Sequence, residues 1–189
     1  MSQLERTEWD ERFRTGDHAG TEPDPFLALL EEYRELFPEG RRALDVACGA
    51  GRNAVYLAER GWTVTACDIS LVGLRQARQL ARERGVPLQL FCMDLEMVRL
   101  PVAAFDLVLC FFYLQRDLFP QFKSALRSGG FLVCKTYSWD QLRFPGRPRH
   151  STYLLQPQEL LEAFREFRVL HYQEILKDRG VAQLIARKP

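Results

Sequence analysis

Three aspartates follow short apolar segments at intervals suited to a nucleotide-like ligand. Asp45 lies in ALDVAC, Asp68 ends WTVTACD and Asp94 ends PLQLFCMD. Gly49 and Gly51 follow the first segment, where glycine permits a tight turn and a close backbone approach to a ligand. A carboxylate at the end of the second strand can accept hydrogen bonds from ribose hydroxyls. We expect Asp68 to do this and Asp94 to reach the amine of an adenine.

The segments around these residues predict alternating strands and helices. A helix follows the glycine loop and ends at Gly61, and Ser70 is a good N-cap for a second helix that ends at Gly85. The inward face of that second helix is predicted to carry Leu71, Leu74, Ala77 and Ala81. Because ligands of such sheets bind outside the carboxyl ends of the strands, the aspartates and glycines are expected to line one site.

The second half of the chain continues the pattern. FDLVLCFF and GGFLVCKTY predict two more buried strands, separated by a helix over 117–126. A helix over 157–166 precedes FRVLHYQEI and GVAQLIARK, which a short turn should join as an antiparallel hairpin. We therefore predict an α/β chain with a single Rossmann-like, doubly wound, mostly parallel seven-stranded sheet and an antiparallel C-terminal hairpin.

We expect one domain over residues 1–189, with two segments covering the site. Residues 1–38 are predicted to form a helical lid, in which a helix over 4–14 carries Trp9 and Phe13. A second helix in this lid is predicted after Asp24 as N-cap and Pro25 at the first helical position. Residues 138–152 show no periodicity and are predicted to form a long loop on the substrate side, and loops of this length are usually functional or mobile.

Composition limits the class of protein and its partners. The 189 residues are 47% apolar and 27% charged, which is typical of a globular domain, and the net charge is +1. This near-neutral net charge does not indicate binding to nucleic acid or to an anionic membrane. No apolar run approaches the length of a membrane span, and the charged N-terminal residues do not resemble a secretory signal. We expect a cytoplasmic monomer or homodimer that acts on a small molecule, with no nucleic-acid or membrane partner.

The five cysteines fit no zinc-binding pattern, and no metal site is predicted; they are Cys48, Cys67, Cys92, Cys110 and Cys134. Each falls near the end of a predicted strand, where cysteine commonly serves as a small buried hydrophobe. A thiol-rich pocket for a soft chalcogen or arsenic substrate is the alternative.

Two cofactor classes fit the glycine loop. G-A-G-R-N-A matches the relaxed dinucleotide pattern, so NAD(P) and an oxidoreductase activity are one alternative. S-adenosylmethionine is favoured because Asp45 could bind the amine of its methionyl part. A carboxylate so close to the glycine loop would disfavour a pyrophosphate. The antiparallel hairpin is also unusual for a dinucleotide fold, and no catalytic Tyr-x-x-x-Lys is evident.

The motif L-D-V-A-C-G-A-G-R-N, with Asp68 and Asp94, resembles the class I S-adenosylmethionine-dependent methyltransferases. W-D-E-R-F near the N-terminus and F-Y-L-Q-R-D-L-F after the fourth predicted strand are similar to the small tellurite-resistance and thiopurine-type methyltransferases. The resemblance implies methyl transfer from S-adenosylmethionine to a small-molecule nucleophile, such as a thiol or chalcogen compound, with S-adenosylhomocysteine as product. A protein that binds the cofactor without turning it over stays an alternative.

The resemblance also implies roles for particular residues. It places the methionyl moiety beside Asp45 and the glycines, the ribose on Asp68, and the adenine near Ile69 and Asp94. The positions implied in cofactor binding are Trp9, Asp45, Gly49, Gly51, Arg52, Asn53, Asp68, Ile69, Asp94, Leu95, Cys110 and Phe111.

Substrate-side candidates come from the fourth strand end and the long loop. Methyl transfer is an in-line displacement, so the enzyme mainly aligns the nucleophile and excludes water. A soft anionic nucleophile needs no base, whereas a hydroxyl or amine usually needs one. Tyr113 follows the fourth strand, arginines of the loop could hold an anionic substrate, and His150 could take a proton. The predicted catalytic residues are Tyr113, Arg147, Arg149 and His150.

Overall fold

The computed structural model describes residues 3–17, 20–146 and 148–189. Its seven strands follow the order β3-β2-β1-β4-β5-β7-β6 in one sheet, with helices between them, and this confirms the predicted α/β class. The chain divides into two compact units, Met1–Arg99 and Leu100–Pro189. The predicted single-domain organisation stays a prediction, and each unit is described by itself.

The first unit holds the glycine loop and three parallel strands. Its elements are α1 (Gln3–Arg14), a 3₁₀ helix (Pro25–Leu36), β1 (Arg42–Val46), α2 (Arg52–Glu59), β2 (Thr63–Asp68), α3 (Leu71–Glu83) and β3 (Gln89–Cys92). β2 lies between β1 and β3, and both pairings are parallel. The carboxyl ends of β1 and β2 therefore lie at one edge, as the predicted site requires.

The caps and apolar stripes predicted in this unit are largely confirmed. The Ser70 hydroxyl accepts a hydrogen bond from the Gly73 N–H at 3.0 Å, and the Asp24 carboxylate accepts one from the Phe26 N–H at 3.0 Å. α3 buries Leu74, Ala77, Leu80 and Ala81. Leu71 does not face inward: it is 44% exposed at the first helical position, ahead of the buried stripe. The segment after Asp24 forms a 3₁₀ helix.

The second unit contains the remaining strands. Its elements are β4 (Phe105–Phe111), α4 (Leu118–Ala125), β5 (Leu126–Tyr137), 3₁₀ helices at Trp139–Arg143 and Ser151–Tyr153, α5 (Glu159–Ala163), β6 (Arg168–Lys177) and β7 (Arg179–Arg187). β4 and β5 pair in parallel, and every residue of β4 is buried, as its apolar sequence predicts. β7 pairs antiparallel with both β5 and β6, so the predicted hairpin is confirmed.

Within the segment 138–152, predicted as a long loop, the 3₁₀ helix Trp139–Arg143 contacts the first residues of β7. The side-chain oxygen of buried Gln141 accepts a hydrogen bond from the Gly180 N–H at 3.0 Å. A Cβ at position 180 would clash with the backbone nitrogen of Gln141. Glycine at position 180 thus allows Gln141 to lie directly against β7.

None of the helices in residues 3–17, 20–146 and 148–189 combines the length and the apolarity that crossing a membrane requires. Within the same described residues, His, Cys, Asp and Glu side chains form no group of three or more that could hold a metal ion.

Candidate active site

The glycine loop is shaped by contacts with other parts of its own unit. Gly49 and Gly51 have φ values of +54° and +76°. A Cβ at Gly51 would lie 2.6 Å from the Cβ of Ala77 in α3, and a Cβ at Gly49 would lie 3.0 Å from the Phe13 ring in α1. The room left by the missing Cβ atoms is therefore used by α3 and α1. The predicted contact of both glycines with a cofactor stays a prediction.

Asp68 joins this loop to the start of α3. Its two carboxylate oxygens accept hydrogen bonds from the Gly49 N–H and the Ser70 N–H, each at 2.8 Å. Burial raises the pKa of Asp68 although these hydrogen bonds oppose the shift. Because each carboxylate oxygen has two lone pairs, both oxygens keep acceptor capacity for ribose hydroxyls.

Asp45 is the most strongly perturbed carboxyl group at this edge. It is 1% exposed, and within the described part of the chain no hydrogen-bond donor reaches its Oδ2. Burial and then the charge of Asp68 raise the pKa of Asp45 to about 8, against the lowering effects of the Ala54 N–H and the Arg52 charge. A buried polar atom without a partner is rare in folded proteins and requires an explanation. The ammonium group of a ligand would supply the missing donor.

The other residues of the first unit that are predicted to bind the cofactor differ in their burial and in their contacts. Asn53 is buried, and its side-chain oxygen accepts a hydrogen bond from the Asp24 N–H at 2.9 Å. The half-buried Asp94 accepts a hydrogen bond from the Glu96 N–H at 2.9 Å, which fixes the turn after β3. Trp9 is half-buried in α1, with its ring centroid 6.1 Å from that of Phe13. Ile69 and Leu95 are buried.

In the second unit, Cys110 and Tyr113 line one small pocket. Cys110 pairs in register with Cys134 on the neighbouring strand, and both buried thiols line this pocket. The Cys110 thiol donates to the Tyr113 carbonyl at 3.6 Å, and the Tyr113 hydroxyl donates to the Gln115 side chain at 2.8 Å. Burial raises the pKa of Cys134 to about 12, so this thiol is protonated at neutral pH. Phe111 is buried at the end of β4.

Two of the loop residues predicted to be catalytic, Arg149 and His150, form hydrogen bonds with nearby backbone groups. Arg149 is exposed and donates to the Leu142 carbonyl at 3.0 Å. His150 is exposed, and its Nδ1 accepts a hydrogen bond from the Thr152 N–H at 3.3 Å. His150 thus uses this ring nitrogen to cap the 3₁₀ helix Ser151–Tyr153. Arg147 lies outside the described residues.

Sequence reasoning missed two residues with extensive contacts, although both lie in quoted motifs. Arg116 of F-Y-L-Q-R-D-L-F binds both carboxylate oxygens of Glu159, at 2.6 and 2.9 Å, and the carbonyls of Thr152 and Leu154, each at 3.0 Å. Asp10 of W-D-E-R-F accepts a hydrogen bond from the Ser70 hydroxyl at 2.6 Å. The motifs were the only signal, because neither contact follows from local periodicity.

Comparison with known proteins finds similarity to methyltransferases. Residues 43–130 match the family model described as "Methyltransferase domain". The chain is 33% identical over 117 residues to a ubiquinone biosynthesis O-methyltransferase of Idiomarina loihiensis, which covers 58% of this chain and 47% of that protein. It is 30% identical over 112 residues to the tRNA 5-carboxymethoxyuridine methyltransferase of Escherichia coli, covering 55% and 43%.

Among solved structures, TehB from Haemophilus influenzae superposes with a TM-score of 0.68 at 17% identity, over 86% of this chain and 62% of that one. At this identity the likeness shows the fold. The chain spans less than half the length of the two curated relatives, at 47% and 43%.

Proposed function

We propose that the chain is a class I S-adenosylmethionine-dependent methyltransferase that transfers the methyl group of this cofactor to a small-molecule nucleophile, and the similarity of residues 43–130 to a methyltransferase domain supports this. The observation that carries the proposal is the buried Oδ2 of Asp45, which has no hydrogen-bond partner among the residues that the structure describes. S-adenosylmethionine brings an ammonium group, which can donate to this oxygen. A pyrophosphate offers only acceptor oxygens and no donor for this oxygen, and this argues against the NAD(P) alternative.

The other carboxylates suit the rest of the cofactor. Asp68 is fixed by two backbone hydrogen bonds and keeps lone pairs for the ribose hydroxyls. Asp94 is held in a turn at the end of β3, and we assign it to the adenine amine. When bound, S-adenosylmethionine supplies a carbon activated by a positive sulfur, so the chain has to orient the cofactor and exclude water.

The substrate-side residues favour an acceptor that needs no general base. The Tyr113 hydroxyl proton is donated to Gln115, and His150 uses its Nδ1 to cap the 3₁₀ helix Ser151–Tyr153. A thiolate or another soft chalcogen anion attacks a sulfonium methyl group without proton removal. We therefore propose a thiol or chalcogen compound as the acceptor class. With a net charge of +1, we expect no transfer to nucleic acid.

A binding experiment tests the cofactor first. Thermal shifts would be measured with S-adenosylmethionine, S-adenosylhomocysteine, NADH and NADPH on the wild type, on Asp45→Ala and on the exposed control Glu39→Gln. We expect the two adenosyl ligands alone to raise the melting temperature of the wild type and the control, because a ligand that binds only the folded state stabilises it. A shift with NADH or NADPH alone would overturn the proposal.

A transfer experiment then tests the acceptor class. Cofactor with a labelled methyl group would be incubated with thiols, chalcogen oxyanions, phenols, amines and transfer RNA. We expect labelled product from the sulfur or chalcogen compounds. Labelling of transfer RNA alone would refute the small-molecule assignment, and cofactor binding without transfer to any acceptor would favour the non-catalytic alternative.

A further inference from the structure

A continuous set of hydrogen bonds joins the N-terminal helix to the carboxylate assigned to the ribose. We propose that Asp10 is a positioning residue for cofactor binding and that it acts through Ser70 on Asp68. Docking of α1 and binding of the cofactor are then coupled. The inference rests on the proposed function, because it concerns the same cofactor site.

Asp10 anchors α1 at the start of α3. One carboxylate oxygen, Oδ1, accepts hydrogen bonds from the Ser70 hydroxyl at 2.6 Å and from the Val72 N–H at 3.1 Å. Burial raises the pKa of Asp10, but the hydrogen bonds from Ser70 and Val72 and the charges of Arg14 and Arg6 outweigh burial and lower it. Asp10 therefore stays ionised at neutral pH and caps α3 from another helix.

Ser70 transmits this contact to Asp68. Its side chain and backbone are fully buried, and its N–H donates to Oδ1 of Asp68 at 2.8 Å. Its hydroxyl oxygen accepts from the Gly73 N–H, so the hydroxyl proton is free to be donated to Asp10. The hydroxyl and N–H of one residue thus connect both aspartates.

Phe13 packs α1 close to Gly49 and Gly73. A Cβ at Gly49 or at Gly73 would lie 3.0 Å from the Phe13 ring, and the Phe13 carbonyl accepts from the Gln76 side chain at 2.9 Å. Gly49 is the second backbone donor to Asp68. α1 therefore contacts Ser70 through Asp10 and packs near Gly49 through Phe13, and the N–H groups of Ser70 and Gly49 both donate to the Asp68 carboxylate.

Loss of the Asp10 carboxylate would leave the Ser70 hydroxyl and the Val72 N–H without their acceptor. A buried donor without an acceptor carries a desolvation penalty, so the turn between β2 and α3 would rearrange. Asp68 would lose its fixed orientation and bind ribose hydroxyls less well. By thermodynamic reciprocity, a bound adenosyl ligand stabilises the docked state of α1.

A double-mutant cycle on S-adenosylhomocysteine binding tests this inference. We expect Asp10→Ala to weaken binding about tenfold, as the loss of a hydrogen bond to a charged group does. In an Asp68→Ala background the same substitution should have little further effect, because Asp10 acts through Asp68. Asp10→Asn keeps an acceptor oxygen and should bind nearly as well as the wild type. Glu8→Ala, an exposed change on the same helix, is the matched control.

The possible outcomes distinguish failure of the proposed function from failure of the positioning role alone. Failure of the wild type to bind S-adenosylhomocysteine refutes the proposed function itself. Wild-type binding with unchanged affinity in Asp10→Ala, or equal effects of this change with and without Asp68, overturns the positioning role alone. If Asp10→Ala does not fold, hydrogen exchange of the α1 amides in the wild type replaces it: we expect slower exchange with S-adenosylhomocysteine bound, and unchanged exchange overturns the coupling.

Discussion

Beyond the effect of burial, the charge of Asp68 at the end of β2 raises the pKa of Asp45 on the neighbouring strand β1. Burial and the Asp68 charge raise the pKa of Asp45 to about 8, whereas in an unfolded chain it is near 3.8. Arg52 acts in the opposite direction without cancelling the shift. In the free protein at neutral pH, Asp45 is therefore mostly protonated, and this has consequences for binding and for stability.

Cofactor affinity should rise with pH below pH 8. An ammonium group binds the ionised form of Asp45, and the ionised fraction increases about tenfold per pH unit below the pKa. We expect affinity for S-adenosylhomocysteine to increase roughly tenfold from pH 6 to pH 7, with release of a proton on binding. Calorimetry in buffers of different ionisation enthalpy measures both effects. Asp45→Asn should remove the dependence, and a flat wild-type profile would contradict this assignment.

Asp45→Asn should also stabilise the free protein at pH 8. The pKa is raised in the folded state, so the folded protein retains a proton that the unfolded chain has released, and stability falls as pH rises from about 4 to about 8. The asparagine side chain does not ionise, so the variant does not lose this stability as pH rises. We expect its melting temperature to exceed that of the wild type by several degrees at pH 8, since ~1 kcal/mol corresponds to about 2–4 °C for a chain of this size. The difference should largely disappear near pH 4, and a gain independent of pH would refute this explanation.

Gly51→Ala should destabilise the protein more than Gly85→Ala. Both glycines have positive φ, but a Cβ at Gly51 would meet Ala77 at 2.6 Å, whereas one at Gly85 would meet nothing within 4 Å. The first substitution adds an overpacking penalty of roughly 1–3 kcal/mol to the backbone strain that both share. Urea unfolding measures the two values. Ala77→Gly should recover part of the Gly51→Ala loss, and equal losses at the two glycines would contradict the contact with α3.

Arg116→Lys should loosen the segment around Thr152 and Leu154 while changing global stability little. A lysine cannot reproduce the paired hydrogen bonds to Glu159 together with those to two carbonyls. Hydrogen exchange of residues 150–156 should become faster. Arg165→Lys, in an exposed pair with Glu162, is the control and should leave this segment unchanged. Unchanged exchange in Arg116→Lys would show that other contacts hold the segment.

The regular elements could be predicted from sequence because their signals are local. The capping residues Asp24 and Ser70 and the apolar run of β4 each act within a few residues, and all three are confirmed. The hairpin followed from two strand-like runs with a short turn between them. Leu71 was placed wrongly because periodicity does not show where the sheet stops covering a helix.

The contacts that shape the site were not predictable in the same way. Asp10 and Ser70 are 60 residues apart, and Arg116 and Leu154 are 38 apart. Asp45 was singled out from its position, but its unpartnered oxygen depends on packing that sequence spacing does not encode. The 3₁₀ helix Trp139–Arg143 contacts Gly180 through Gln141 and has no periodic signal of its own.

The contact between Gln141 and Gly180 also sets an order of assembly during synthesis. Gly180 is made 39 residues after Gln141, which corresponds to a delay of roughly 2–8 s at about 5–20 residues per second. Until the last strand emerges, the buried Gln141 side chain has no Gly180 N–H to bind. The segment beginning at Trp139 can therefore reach its final form only after translation of the C-terminal hairpin.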